Sequence, residues 1–184
     1  MSLRYGLLGL LKYQDMSGYD LAKAFDTSLQ FMWNAKSSQI YRELSKLEEE
    51  GWVKSHVEEQ ERKFDKKVYA ITGVGESEFN SWIQNFPNNL QSPIRDEFML
   101  RIFFSEALEK ENLVFELIRF KKQREEALVE ISMAQKIAKE SAEQADALSA
   151  YYYWALTIKK GIKEIKAEIE WAEETIEELK RESR

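Results

Sequence analysis

The hydrophobic positions near the start of the chain predict two short helices. The segment from Leu3 to Lys12 is apolar on several sides, which indicates a helix buried on more than one face. A second helix opens at Ser17, where Asp20 follows three residues later in a capping arrangement, and extends to about Phe25. These segments begin a first part that is predicted to contain three helices, a hairpin and a fourth helix.

A third helix is predicted to begin near Ser37 and to end near Gly51, because glycine commonly follows the last residue of a helix. Its apolar residues are spaced four and three positions apart and form one face: Ile40, Leu44 and Leu47. The remaining positions are polar and partly basic. An ordinary amphipathic surface helix has the same pattern, so the helix alone leaves its role open.

The two segments that follow alternate between apolar and polar positions, as half-buried β-strands do. They are 52–57 and 67–71, and the charged segment between them predicts a hairpin with a solvated tip. Thr72 then caps a fourth helix that runs to Phe86. Three helices followed directly by a hairpin are the element order of a winged helix-turn-helix domain.

The second half of the chain is predicted to be helical throughout. Ser92 and Pro93 are a favourable N-cap and first residue for a helix that runs to Leu108. Further helices cover about 110–141 and about 148 to near the C-terminus. We therefore predict a mainly α fold with a small β-hairpin, in which a winged helix-turn-helix domain (1–86) precedes an antiparallel helical dimerisation domain (92–184).

The last helix carries a long heptad pattern of apolar residues. Their spacings alternate between four and three over more than four heptads, which is the pattern of a coiled-coil seam. A helix of this length needs the preceding helix and a second subunit to cover it. We assign to the dimer interface Tyr151, Ala155, Ile158, Ile162, Ile165, Ile169, Ala172, Ile176 and Leu179.

Composition removes several classes of function. The chain of 184 residues has no cysteine and a single histidine, His56. Disulfides, thiolate nucleophiles, cysteine metal sites and a multi-histidine metal site are thereby excluded or disfavoured, and we expect no cofactor and no enzyme activity. No apolar run approaches the length of a membrane helix, so we expect a cytoplasmic protein without a membrane partner.

The net charge of −6 argues against a basic surface over the whole chain, although it allows a local one. The polar face of the third helix suits the major groove, because serine and glutamine contact base edges while arginine and lysine reach phosphates or guanine. The candidate residues on this helix are Lys36, Ser37, Ser38, Gln39, Tyr41, Arg42, Ser45 and Lys46.

The hairpin offers a second set of cations that could grip the DNA backbone or minor groove: Arg62, Lys63, Lys66 and Lys67. The window 36–67 nevertheless holds equal numbers of basic and acidic residues. DNA binding therefore requires the fold to sort the charges, with the bases toward DNA and Glu48, Glu49 and Glu50 pointing away. A solvated hairpin of mixed charge is the alternative.

The run from Ser38 to Val53 resembles the recognition helix of the PadR family of bacterial transcriptional regulators, in its Ile-Tyr, Leu, Leu-Glu and Gly positions. The segment 67–72 followed by Gly75 resembles the end of the family's wing, and segments 7–11 and 17–21 also fit. The resemblance covers 1 to about 86. The helical remainder resembles one PadR subgroup, and the wing tip lacks the Gly and Pro that many members carry.

The resemblance implies a dimeric repressor of double-stranded DNA that binds an operator with two-fold symmetry. It also suggests a small aromatic effector between helices, for which Tyr152 and Trp154 are candidates. Dimer packing is the other interpretation of these aromatic residues. A helical interaction module whose winged domain contacts protein instead of DNA is the alternative function.

Overall fold

The chain folds into two compact units, Met1–Ser92 and Pro93–Arg184, which we describe separately. The structure is a computed structural model, and it describes residues 3–29, 32–58, 65–90, 95–144 and 147–182. Within the described residues, no helix is both long enough and apolar enough to cross a membrane.

The first unit combines four helices with a small antiparallel sheet. Its elements in chain order are α1 (Leu3–Leu11), β1 (Met16–Ser17), α2 (Gly18–Leu29), α3 (Ser37–Glu49), β2 (Val53–Glu58), β3 (Lys66–Ile71) and α4 (Gly73–Gln84). The strand order is β1-β3-β2. Strands β2 and β3 form the predicted hairpin, with Val53 opposite Ile71 and Glu58 opposite Lys66.

The core of this unit lies where α1, α2 and α3 meet the sheet. The apolar face predicted for α3 is fully buried, since Ile40, Leu44 and Leu47 are each at most 2% exposed. Leu7 and Leu8 of α1 belong to the same cluster of buried side chains. Burial of each such side chain contributes about 1.5–3 kcal/mol, so this contact fixes which face of α3 remains in water.

The predicted helix boundaries are confirmed at three caps. The Ser17 hydroxyl accepts a hydrogen bond from the Asp20 amide at 3.1 Å, and the Thr72 hydroxyl accepts one from the Gly75 amide at 3.2 Å. Gly51 ends α3 with a φ of 74°, a left-handed conformation that favours glycine. The amide of Trp52 completes this turn by donating to the Leu47 carbonyl at 2.8 Å.

Three features of the first unit differ from the prediction. Helix α4 ends at Gln84, before the expected end at Phe86, because a residue that precedes a proline, as Phe86 does, is disfavoured in the helical conformation. Helix α2 continues to Leu29, beyond the expected end at Phe25, because no helix-breaking residue intervenes. The sheet also has a third strand, since Met16 pairs with Tyr69 and Ser17 pairs with Val68. A strand of two residues is too short to show any alternation, so the pattern contained no signal for it.

The second unit is entirely helical over its described residues. Its elements are α5 (Glu97–Phe103), a short 3-10 helix (Ser105–Ala107), α6 (Lys110–Gln144) and α7 (Leu148–Glu182). The single helix predicted from Ser92 to Leu108 is wrong in its extent. Ser92 and Pro93 lie outside the described residues, and α5 begins at Glu97, where the Asp96 side chain accepts from the Met99 amide at 3.0 Å.

Helices α6 and α7 pack side by side in antiparallel directions. Lys121 pairs with Glu173 at 2.6 Å, and further along α6 Arg124 pairs with Glu168 at 3.4 Å. The Phe120 ring also meets Trp171 edge to face at 5.9 Å between centroids. The partner residue numbers fall along α7 as they rise along α6, as expected for an antiparallel helical pair.

Gly75 at the start of α4 provides a test of how closely α4 approaches the turn after α3 in the first unit. A Cβ on Gly75 would lie 2.1 Å from the Trp52 carbonyl oxygen, whereas one on Gly73 would meet nothing within 4 Å. We expect Gly75→Ala to lower the free energy of unfolding by about 1–3 kcal/mol, because the backbone of Trp52 must move. Urea denaturation followed by far-ultraviolet circular dichroism measures this change.

Gly73→Ala is the matched control in the same helix, and it should be neutral or slightly stabilising. Equal urea midpoints for the two variants would contradict the close approach of Trp52 to Gly75.

Candidate DNA-binding surface

The exposed face of α3 carries two cationic side chains one turn apart. Arg42 and Lys46 are exposed, and neither has a carboxylate within ion-pair distance in the described part of the chain. Ser38 and Ser45 are exposed on the same side of the helix. The surface therefore offers cationic side chains and hydroxyls together, which is the combination that contacts phosphates and base edges.

The start of α3 is ordered by two contacts that sequence reasoning did not anticipate. The Gln39 side chain accepts a hydrogen bond from the Lys36 amide at 2.8 Å, so its carboxamide oxygen caps the helix instead of projecting freely. The ring of Tyr41 lies over Gly18, where an added Cβ would approach it to 2.6 Å. Gln39 and Tyr41 therefore help to position α3, while Ser37 and Lys36 remain exposed.

A single arginine neutralises two acids of this region. Arg4 of α1 donates to Glu43 at 2.9 Å and to Glu50 at 3.0 Å, and its guanidinium lies 4.8 Å from the centroid of the Trp52 ring. Glu43 is only 8% exposed, so its charge is directed into the protein. The pKa of Arg4 is raised by its hydrogen bonds and its attraction to both carboxylates, which outweigh the opposing effect of burial.

The described wing lysines both pair with carboxylates of neighbouring helices. Lys66 lies 3.6 Å from Asp20 of α2, and Lys67 lies 2.7 Å from Glu48 of α3. Glu48, which is expected to point away from DNA, thus lies against the wing lysine Lys67. Arg62 and Lys63, which were predicted to contact DNA, lie outside the described residues.

These pairs shift the titration of their members. The pKa of Glu48 is lowered by hydrogen bonds from Lys67 and Ser55, and the pKa of Lys67 is raised by the hydrogen bond to Glu48. The pKa of Asp20 is lowered, first by the hydrogen bond from the Ser17 hydroxyl and then by Lys66. The carboxylates are thus held in their charged forms.

Basic and acidic residues are equal in number in the segment 36–67, and the fold separates some of the basic side chains from the acidic ones. Glu43, Glu48 and Glu50 are engaged by Arg4 and Lys67, while Arg42, Lys46 and the acidic Glu49 have no ion-pair partner among the described residues. Sequence reasoning missed Arg4 and Asp20 as members of this region, because their partners lie far away in sequence. No group of three His, Asp or Glu side chains that could hold a metal ion occurs in the described part of the chain.

The predicted dimer seam lies against α6 of the same chain. Its members at 165, 172 and 176 are at most 8% exposed, and the others are half-buried. This burial is provided by the antiparallel partner helix, so these positions offer less surface to a second subunit than the heptad pattern suggested. The deeply buried members are Ile165, Ala172 and Ile176, and the half-buried ones are Tyr151, Ala155, Ile158, Ile162, Ile169 and Leu179.

The predicted effector residues do not share one face of α7. Tyr152 is 62% exposed, whereas Trp154 is half-buried. Residues two positions apart on a helix point about 200° apart, so these two side chains cannot line one cleft from the same helix. Tyr152 instead meets its neighbour Tyr153 edge to face, with 5.3 Å between the ring centroids.

A helical core, a helix with a free polar face and a two-stranded wing define a winged helix-turn-helix protein. Two family models match the chain. Residues 7–81 match the transcriptional regulator PadR-like family, and residues 94–180 match the virulence activator alpha C-terminal family.

Similar proteins agree with these matches over nearly the whole chain. The negative transcriptional regulator PadR of Bacillus subtilis is 32% identical over 173 residues, which are 93% of each chain. Its crystal structure in complex with operator DNA has a TM-score of 0.82 at 28% identity, covering 97% of this chain and 99% of that one. Its complex with p-coumaric acid has a TM-score of 0.76 at 28% identity, covering 97% and 95%.

The chain belongs to the PadR-like family of transcriptional regulators. The resemblance noted in the sequence is thereby confirmed, together with the mainly helical fold.

The Asp20–Lys66 pair predicts an acid-dependent loss of stability. The pKa of Asp20 is lower in the folded chain than its unfolded value of about 3.9, so its contribution is present above that value and disappears as the pH falls through the folded pKa. We expect Asp20→Asn to be less stable than the unchanged protein at neutral pH. This difference should shrink in acid, as measured by urea denaturation over a pH series.

Asp26→Asn is the matched control on α2, since Asp26 pairs with no described residue. A stability difference for Asp20→Asn that stays constant into acid would show that the ion pair and cap contribute nothing through the charge of Asp20.

Proposed function

We propose that this chain is a dimeric DNA-binding transcriptional regulator that represses from an operator with two-fold symmetry. The observation that carries the proposal is that Arg42 and Lys46 lie exposed on α3 and form no ion pair with any described residue. Residues 1–86 form the DNA-binding domain and residues 92–184 the dimerisation domain. The relative from Bacillus subtilis is described as a negative regulator and was crystallised with operator DNA, which supports this assignment.

In this proposal α3 enters the major groove and the wing lies on the flanking backbone. The residues assigned to base and phosphate contacts at the groove are Ser38, Arg42, Ser45 and Lys46, joined at the start of the helix by Lys36 and Ser37. Lys66 and Lys67 reach backbone phosphates by exchanging their carboxylate partners for the DNA. A symmetric dimer then requires two half-sites about one helical turn apart, or a multiple of that distance.

The proposal includes relief of repression by a small aromatic effector. The Bacillus subtilis relative was crystallised with p-coumaric acid. The exposed Tyr152 offers an aromatic surface for such a molecule. An effector that prefers one arrangement of the dimer shifts the population between DNA-binding and non-binding states.

The chain acts in the cytoplasm and has no catalytic role in this proposal. The family to which the chain belongs is one of transcriptional regulators, which supports this part of the proposal. A winged domain that contacts protein instead of DNA is the competing function, and the same binding experiment decides between them.

The test is fluorescence anisotropy with the duplex upstream of this protein's own gene and a scrambled duplex, each over a salt series. We expect salt-dependent binding with preference for the upstream duplex. Lys66→Ala with Lys67→Ala should weaken binding to both duplexes and flatten the salt slope by about 0.9 for each lost phosphate contact.

Lys159→Ala is the matched control, because it removes a lysine that is exposed on α7 and outside the proposed surface. A salt slope that is unchanged in the double variant would remove these two lysines from the interface. Absence of salt-dependent binding to either duplex would favour the protein-contacting alternative.

A second stripe of apolar residues on α6 supports assembly through the second unit. Val129, Met133 and Ile137 are each more than half exposed and lie four positions apart, on the side of α6 away from the buried Ile131. Exposed apolar side chains in such a row are typical of a helix that packs against another chain. We propose this stripe, together with the half-buried seam residues, as the contact between subunits.

Met133→Glu combined with Ile137→Glu should convert the dimer into a monomer, because two charges would be buried at the contact. Sedimentation velocity measures the assembly state, and circular dichroism confirms that helix content is retained. Gln123→Glu with Ser132→Glu adds the same charges at exposed positions of α6 outside this row and should leave the dimer intact. A dimer that survives the first pair of substitutions would exclude this stripe from the contact.

A further inference from the structure

Glu48 occupies an unusual position for an acid near a DNA-binding helix. It lies at the end of α3, and its side chain bridges to the hairpin. One carboxylate oxygen accepts a hydrogen bond from the Lys67 ammonium at 2.7 Å, and the other accepts one from the Ser55 hydroxyl. The recognition helix and both strands of the hairpin are therefore joined through a single carboxylate.

The contact also determines the direction of the Lys67 side chain. Its ammonium lies 5.1 Å from the centroid of the Tyr69 ring, so Tyr69 and Glu48 together draw it toward the body of the domain. The side chains of Lys67 and Glu48 are 48% and 32% exposed. A pair this open to water is weak, which means that a phosphate can displace the carboxylate.

The two cations on the exposed face of α3 differ in this respect. Arg42 and Lys46 have no carboxylate partner among the described residues, so they are free to meet a phosphate. Lys67 can do so only by leaving Glu48. A phosphate that approached Lys67 without displacing Glu48 would also come close to a negative charge of the protein.

We propose that Glu48 is an intramolecular substitute for a DNA phosphate, which holds Lys67 in the free protein and limits sequence-independent affinity for DNA. This inference rests on the proposed DNA-binding function. Glu48 acts through Lys67 and is a positioning residue. The charge of Lys67 is already compensated by a carboxylate. An ion pair between Lys67 and a DNA phosphate therefore adds less affinity than one formed by a lysine without a carboxylate partner.

The test is a double-mutant cycle in the full-length protein with the scrambled duplex, measured by anisotropy over a salt series. Glu48→Gln keeps the shape of the side chain and removes its charge. We expect it to tighten binding about threefold to fivefold and to steepen the salt slope, by at most about 0.9. In a Lys67→Met background the same substitution should lose most of this gain, because no lysine remains to be released.

Glu49→Gln is the matched control in the neighbouring position. Glu49 is exposed and pairs with no described residue, so its removal makes the same change in net charge without releasing a lysine. Its effect on affinity should therefore be the same with Lys67 and with Met at position 67. Urea denaturation confirms that all variants remain folded.

The outcomes separate the two hypotheses. If the unchanged protein shows no salt-dependent DNA binding, the proposed function fails. If it binds DNA but the gain from Glu48→Gln is equally large with Lys67→Met, the function stands and the role of Glu48 is wrong. A gain that depends on Lys67, beside a control that does not, supports the proposal.

Discussion

The burial of one face of α3 is the contact on which the DNA-binding surface depends. Ile40, Leu44 and Leu47 have almost no exposed surface, and together they contribute several kcal/mol of hydrophobic free energy. A rotation of α3 by one residue position would bring polar side chains into this core. The cost of such a rotation leaves Arg42 and Lys46 with only one orientation, which is toward water.

Charge sorting follows from this fixed orientation. An acidic chain can present a cationic surface when its carboxylates find partners inside the domain, and Arg4 provides one such partner for Glu43 and Glu50. The arginine also lies on the Trp52 ring, so one side chain joins α1 to both ends of the turn after α3. The net charge of the chain therefore does not indicate the charge of this surface, because ion pairs between residues distant in sequence determine which charged side chains stay available to a ligand.

Much of the first unit could be predicted from its sequence because its signals are local. The caps at Ser17 and Thr72, the glycine after α3 and the alternating strands are each contained within a few residues. Strand β1 was not predicted, because a strand of two residues is too short to show an alternation of apolar and polar positions. The Glu48–Lys67 contact joins positions 19 apart in sequence, and only the closed hairpin brings them together.

The heptad seam of α7 shows the limit of periodicity in another way. An unbroken seam predicts that a helix is covered on one side, but it does not identify the covering element. Here α6 packs against α7 in the same chain, where Phe120 meets Trp171 edge to face and the nearby seam residue Ala172 is fully buried. Apolar surface that α7 does not cover remains on the other side of α6, where Met133 and Ile137 are exposed. For two long helices that pack together, the exposed face of each helix must be considered as well as the buried one. The face that packs against the neighbouring helix gives no information about contacts with another chain.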